Sequence, residues 1–339
     1  MSTTSTNEEI LRLQAISKIF DGYVILVLII IGTIGNSLNI IVFLRYKTLR
    51  QMSNSVFMIA FFISNLTSLW ASRFQRSMLA ITGVDLLVGS IFYCKVRWLF
   101  GRWGFNMAFT SVCLSSADRF LNTSRSERYR RLITFKRAAI LTTLSSIAYI
   151  VIFIPDAIYY SGYRCTASAS DRAIYQQFIT YFNLTMTNSI PQVILGIFCV
   201  LTWYNFWSMQ RGRQRQSQIH HEVNRMMLVE FTVIFLSSTP NFIYNIYAQI
   251  TQGWVKSNLQ TAQENIWRNV CVTLSFVLNI GTFYIYFLMS GAYRRKVKAI
   301  FCWQKRVEVT SCGPSFQNTK VTRQVATNVY SLQQSRIGP

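Results

Sequence analysis

The sequence predicts an all-α membrane protein: a seven-transmembrane helix bundle followed by a short amphipathic eighth helix. Composition is the first observation behind this. Of 339 residues, 51% are hydrophobic and only 14% are charged, whereas soluble domains carry about a quarter of their residues as charges. The second is length. Apolar runs able to cross a hydrocarbon core of about 30 Å occur at 22–44, 54–72, 96–118, 138–160, 175–207, 226–250 and 266–290. Runs of this length suit helices, because a backbone in lipid must satisfy its own hydrogen bonds, and they far exceed the roughly ten-residue strands of a membrane barrel. The third is that lysine and arginine gather in alternate connections, as expected of the cytoplasmic side.

Taken in order, residues 1–20 are polar, with Glu8 and Glu9 ahead of any apolar run. They read as an extracellular N-terminal segment rather than a cleavable signal peptide. The connection after the first span holds Arg45, Lys47 and Arg50. The one after the third holds Arg125, Arg128, Arg130, Arg131, Lys136 and Arg137. Arg211, Arg213, Arg215 and Arg225 follow the fifth span, and Arg294, Arg295, Lys296 and Lys298 follow the seventh. This basic set marks the cytoplasmic face, which puts the N-terminus outside, the C-terminus inside and the chain in the plasma membrane as a multi-pass protein. The second span is weak, and Arg73 and Arg76 stand at its end. Residues 21–303 form the bundle with its eighth helix. There, the run from Gly291 to Cys302 alternates apolar and basic groups, so it lies against membrane lipid, with Cys302 a candidate for acylation. Residues 304–339 are rich in Ser, Thr, Gln and Asn and read as a disordered cytoplasmic tail, because they cannot bury enough apolar surface to order.

Several chemistries are excluded at this level. The net charge of +22 does not imply a nucleic-acid partner, because the basic residues stand in short runs between apolar segments rather than along one face. The only histidines, His220 and His221, are adjacent, and the seven cysteines form no CxxC pair, so no metal site and no cofactor are expected. No HExxH, Gly-rich phosphate loop or intramembrane carboxylate pair points to an enzyme. Sequons begin at Asn65, Asn122 and Asn183, two within spans and one on the cytoplasmic side, so none suits a glycan.

The third span organises the rest. Cys94 and Arg119 are 25 positions apart, roughly 37 Å along a helix, so they emerge on opposite faces. Cys165 falls in the second outer connection. In an oxidising exterior a Cys94–Cys165 bridge would pin that loop over the bundle; the alternative is two free thiols. At the other end stands Asp118-Arg119-Phe120, whose arginine either acts in signalling or simply snorkels to headgroups. With this spacing and ending, the chain resembles the rhodopsin-like family of G-protein-coupled receptors, in a divergent, peptide-receptor-like form. Gly35-Asn36 matches the family's pair in the first helix, and Pro191 and Pro240 match the prolines of the fifth and sixth. Thr282-Phe-Tyr-Ile-Tyr286 looks like a degenerate Asn-Pro-x-x-Tyr. The resemblance implies coupling and activation through Asp118, Arg119, Phe120, Pro240 and Tyr286, and a core polar network of Asn36, Asn65 and Thr282. It also implies a heterotrimeric G protein as partner, with arrestin and a kinase acting on the tail. Departures accompany it. Asn65 stands where the family carries Asp, so sodium regulation is not expected. Ser238 replaces the tryptophan before Pro240, and His220 the acid that would latch Arg119, leaving Glu222 or Asp118 for that role.

For the ligand, Gly101 stands where amine receptors carry Asp, and the seventh span lacks a lysine, so neither an amine nor a retinal Schiff base fits. Arg76 and Arg102 lie in the outer half of the bundle and Arg268 near the outer end of the seventh span. Either they face a cavity and hold an anionic group, or they snorkel or pair with Asp85, Asp156 or Glu264. Phe105 and Tyr244 would line the apolar remainder of a pocket. The expected ligand is an extracellular peptide, with a neuropeptide receptor as the expected type, or another small ligand. Two other readings stand beside it: an anion or small-solute transporter or channel, for which no inverted repeat is visible, and a divergent receptor that does not signal.

Overall fold

The computed structural model describes residues 2–124, 126–161, 165–167, 172–211 and 218–305. Most of the expected tail therefore lies outside the described residues. Helix α1 (Ser2–Ile19) runs through a π-turn, Phe20–Val24, into α2 (Ile25–Arg45), so the polar N-terminal segment extends the first span instead of trailing from it. After α3 (Lys47–Arg50) comes α4 (Ser53–Ser68), a second π-turn at Leu69–Arg73, and α5 (Phe74–Thr82). Gly83, at φ 74°, ends α5 in the left-handed conformation that a Cβ would oppose. Then follow α6 (Ile91–Asn122), α7 (Glu127–Arg130) and α8 (Phe135–Tyr159). Helices α9 (Arg172–Phe182) and α10 (Ile190–Arg211) flank a third π-turn at Asn183–Ser189. The chain continues with α11 (Gln218–Ile250), α12 (Asn258–Met289) and α13 (Gly291–Lys305). The one departure from all-α among the described residues is a two-residue antiparallel pair, β1 (Tyr160–Ser161) with β2 (Thr166–Ala167).

Around the bundle α2, α4, α6, α10, α11 and α12 pack in succession and close on α2, with α8 laid against α4 and α6. Met1–Val297 is one compact unit; Lys298–Pro339 is a second, described only in the last residues of α13. Five of the described helical stretches are long and apolar enough to cross a membrane, and six if the two arms of α12, bent by 46°, count as one span. The expected third span, α6, fails that test although it runs 32 residues, because it carries Lys95, Arg97, Arg102, Asp118 and Arg119. The reason is its position. Packed by neighbours on several sides, α6 has little lipid-facing surface to keep apolar. By contrast α8 exposes Ile140, Leu144, Ile147, Val151, Ile154 and Ile158 along its length, a stripe at helical spacing that suits hydrocarbon.

Close approach depends on small residues at one crossing. A Cβ on Gly104 would sit 2.7 Å from the Ser64 carbonyl, and one on Gly101 would sit 3.1 Å from the Ser72 Cβ. Gly101 is therefore where α6 meets the second π-turn, a close contact at the edge of a cavity. Small residues let membrane helices approach this closely.

Candidate functional site

At the α6 N-terminus Cys94 and Cys165 are joined in a disulfide, with Cα atoms 5.7 Å apart. Both are buried beneath Leu87 and Tyr160, and Trp98 stacks on Tyr160 with ring centroids 4.2 Å apart. The bridge draws the β1–β2 turn onto α6. Cys165 adopts φ 51°, a left-handed conformation that an L side chain resists.

Two cavities open at this end. The outer one, of about 770 Å³, lies between α1, α5 and the start of α12, bordered by Lys18, Asp21, Arg76 and Arg268. The Arg76 guanidinium donates to Asp21 at 2.9 Å and to Asn269 at 3.2 Å, and Asn269 donates to Ser17 at 2.7 Å, so the N-terminal helix is tied to the bundle by a polar cluster. The acids proposed for these arginines divide otherwise than the sequence suggested. Asp85 accepts from Gln75 at 2.8 Å, and Glu264 from Lys256 at 2.6 Å and Tyr247 at 2.8 Å. The hydrogen bond to Glu264 holds the Lys256 ammonium, in the loop before α12, above the usual lysine range. Only Arg102 finds one of its expected partners, Asp156, at 3.1 Å.

The inner cavity, of about 290 Å³, is bordered by Arg73, Arg97, Arg102, Trp98, Phe105 and Phe276, among others. Arg73 lies 4.0 Å over the Phe276 ring, and Phe105 stacks on the same ring at 5.8 Å. Arg73 reaches the cavity from the second π-turn, where the extra residue per turn re-aims the side chains that follow. Thus the structure divides the expected ligand set. Arg102 and Phe105 border the inner cavity, Arg76 and Arg268 the outer, and Tyr244 neither; its ring packs 6.3 Å from Tyr247 instead. Sequence reasoning passed over Arg73 and Arg97 as cavity residues, although both were visible as charges in or beside a span.

At the other end of α6 Asp118 is fully buried and accepts from the Ser53 hydroxyl at 2.8 Å, while Arg119 is 3% exposed with its Nη2 at 4.0 Å from the Asp118 carboxylate. Phe120 packs on Phe198 at 5.7 Å. The side chain of Glu222 lies outside the described residues, as does that of Cys302. A buried acid that sequence reading missed is Glu230 on α11: it accepts a short hydrogen bond from the Tyr286 hydroxyl of α12 and lies beside Thr282. Its signal was present, since a lone carboxylate inside a span is rare and costly. Of the expected polar core, Asn36, Asn65 and Thr282 are all buried, but Asn36 donates to the Gly32 carbonyl of its own helix at 2.9 Å and does not bond Thr282. Nearby, Tyr293 of α13 donates to Asn39, and Tyr46 donates to the Lys296 carbonyl at 2.8 Å.

Between the two ends, the prolines sit in a polar joint. Pro191 opens α10 and Pro240 lies inside α11. Between them, Ser238 donates to Gln192 at 2.7 Å, and Gln192 donates to Thr239 at 2.8 Å and to the Phe235 carbonyl at 3.0 Å. The serine in place of a bulky indole therefore makes an interhelical hydrogen bond. A proline removes one backbone donor from its helix, and these side chains tie α10 to α11 just before Pro240.

No curated protein matches the chain. Residues 35–280 match the family model of the 7 transmembrane receptor (rhodopsin family). That match covers well over half of the chain, from the Gly35-Asn36 pair to the middle of α12, and takes in both ends of α6. With the disulfide, the Asp118-Arg119 end and Pro240 inside α11 in place, the chain belongs to the rhodopsin family of seven-transmembrane receptors.

Proposed function

We propose that this protein is a plasma-membrane receptor that takes a peptide at the Cys94 end of the bundle, outside the cell, and activates a heterotrimeric G protein at the Arg119 end. The observation that carries the reading is the contrast between the ends of α6. One end carries the Cys94–Cys165 bridge and two arginine-lined cavities; the other buries Asp118 and Arg119 beside a Glu230–Tyr286 tie between α11 and α12. The basic residues flanking the Arg119 end support an inward orientation for it. A peptide suits the outer cavity because at about 770 Å³ it exceeds what a small amine fills, and its charged rim gives an extended chain polar partners. Ligand binding would favour a packing in which α11 swings about Pro240, the Glu230–Tyr286 bond breaks, and Arg119 is released to the G protein. Arrestin and a kinase would then act on the tail.

The test compares the wild-type chain with Arg119→Ala at matched surface expression, screened against a synthetic peptide library with a second-messenger readout. A peptide that activates the wild type and fails on Arg119→Ala supports the reading. Equal responses from both chains would remove Arg119 from the mechanism. Protease and antibody access to an epitope fused before Ser2 on intact cells checks the orientation.

A further inference from the structure

We propose that the inner cavity is a carboxylate site, in which Arg73 and Arg97 together hold an acid group carried on a short apolar or aromatic stem. This deepens the receptor reading and rests on it for the direction of entry. Three guanidiniums border a space of about 290 Å³ and no Asp or Glu does. Arg102 is already matched, by Asp156 at 3.1 Å. Neither Arg73 nor Arg97 forms an ion pair among the described residues; Asp85 exerts a favourable field on Arg97 but makes its hydrogen bonds with Gln75 and the Leu87 amide. Two like charges facing one low-dielectric space repel, and burial in a bundle makes that costly unless an anion joins them.

The unmet hydrogen bonds point the same way. The Nε of Arg73 and the indole Nε1 of Trp98 are buried with no acceptor among the described residues. Both are donors, and a carboxylate is an acceptor only. The planar fork of a guanidinium matches a carboxylate in two parallel hydrogen bonds. Arg73 is held face-on to Phe276 at 4.0 Å, and Arg97 lies 5.3 Å from the Trp98 ring; cation–π contact fixes the plane of each cation while leaving its edge to donate. Beside these cations the wall carries the rings of Phe105 and Phe276, which suits an apolar or aromatic stem next to the acid, while Asn106, Thr187, Asn241 and Asn245 make the remainder polar. The second π-turn ends at Arg73, so the one irregular turn of this span is the one that delivers the cation.

The carboxylate has two sources, a small organic acid or the acidic end of a peptide whose remainder occupies the outer cavity, and the test has an arm for each. The full chain is purified into nanodiscs of neutral lipid and its thermal midpoint is followed without any G protein. One arm uses benzoate and 3-phenylpropionate against benzamide and 3-phenylpropionamide. The other uses a pentapeptide library ending in phenylalanine as the free acid against the same library as C-terminal amides. Stabilisation by the acids of either arm and not by their amides is the expected result, and the arm that responds names the source. Half-saturating acid should rise at least about tenfold in Arg73→Gln and in Arg97→Gln, and stay unchanged in Arg137→Gln. Acids and amides acting alike, inorganic phosphate stabilising as well as the acids, or no stabilisation in either arm would overturn the proposal. The wild-type comparison of acid with amide needs no variant to fold. Because binding is read without the G protein, failure here alongside intact peptide signalling rejects the carboxylate site alone, whereas acid binding without any signalling rejects the receptor mechanism alone.

Discussion

Replacing Glu230 by leucine should raise signalling without a ligand. Glu230 is fully buried on α11, where it accepts from the Tyr286 hydroxyl of α12 and lies beside Thr282. A buried hydrogen bond of this kind contributes about 0.5–1.5 kcal/mol net. If the bond exists only while α11 and α12 are closed at this end, its loss shifts the closed–open equilibrium by that amount, between about twofold and about 13-fold. A receptor open about 1% of the time would become open about 2% of the time at the low end and about 11% of the time at the high end. The leucine should not unfold the chain, because exchanging a poorly satisfied buried acid for an apolar group of similar size is often neutral or stabilising. The assay is ligand-free G-protein activation at matched surface expression, with the thermal midpoint measured alongside. Glu230→Gln, which keeps an amide oxygen to accept from the Tyr286 hydroxyl, should stay nearer to wild type than leucine does. Wild-type basal activity in both variants, with normal expression, would refute the argument: the bond would then be absent from the balance between states.

Cys94→Ala and Cys165→Ala should each lower the thermal midpoint alike, and the double variant should be no worse. With the two cysteines 71 positions apart, the chain-entropy cost of losing the bridge is about 4 kcal/mol, and additive losses would contradict a shared bond. Asp156→Asn should destabilise by about 3 kcal/mol, because it leaves Arg102 buried beside a neutral amide; Arg102→Gln in the same chain should restore much of that, read as recovered expression and midpoint. Gly104→Val should cost at least about 1–3 kcal/mol, since even its Cβ would meet the Ser64 carbonyl at 2.7 Å, and normal expression of this variant would mean that α4 and α6 separate freely.

Much of this architecture is legible from the chain alone, for a physical reason. The helices, the bridged cysteines and the Asp118-Arg119 end are fixed by length and by position along the chain, and both survive any rotation of a helix about its axis. The lining of the cavities does depend on rotation. Arg73 and Arg97 were legible as charges but not as neighbours, and Tyr244 reads as a pocket residue although it borders neither cavity. The π-turns make matters worse, because each one offsets the phase of the helix beyond it and leaves no clear mark in the sequence. The partners of the charged groups fail for a related reason: Arg76 reaches back to Asp21, 55 residues away, a pairing that no periodicity announces. Glu230 is the opposite case. An acid amid Phe, Val, Ile and Leu stands out by composition alone, yet attention to the family position twenty residues before Pro240 led past it. The weak hydropathy of α6 likewise follows from its central position rather than from any failure to cross.

The three π-turns among the described residues, at Phe20–Val24, Leu69–Arg73 and Asn183–Ser189, lie in the half of the bundle that holds the cavities. A one-residue insertion within a helix rotates everything on its far side by about 100°, while the near side keeps its neighbours. Descendants of such a chain can therefore reshape the cavity lining by gaining or losing a single codon, without rebuilding the half that holds Asp118 and Arg119.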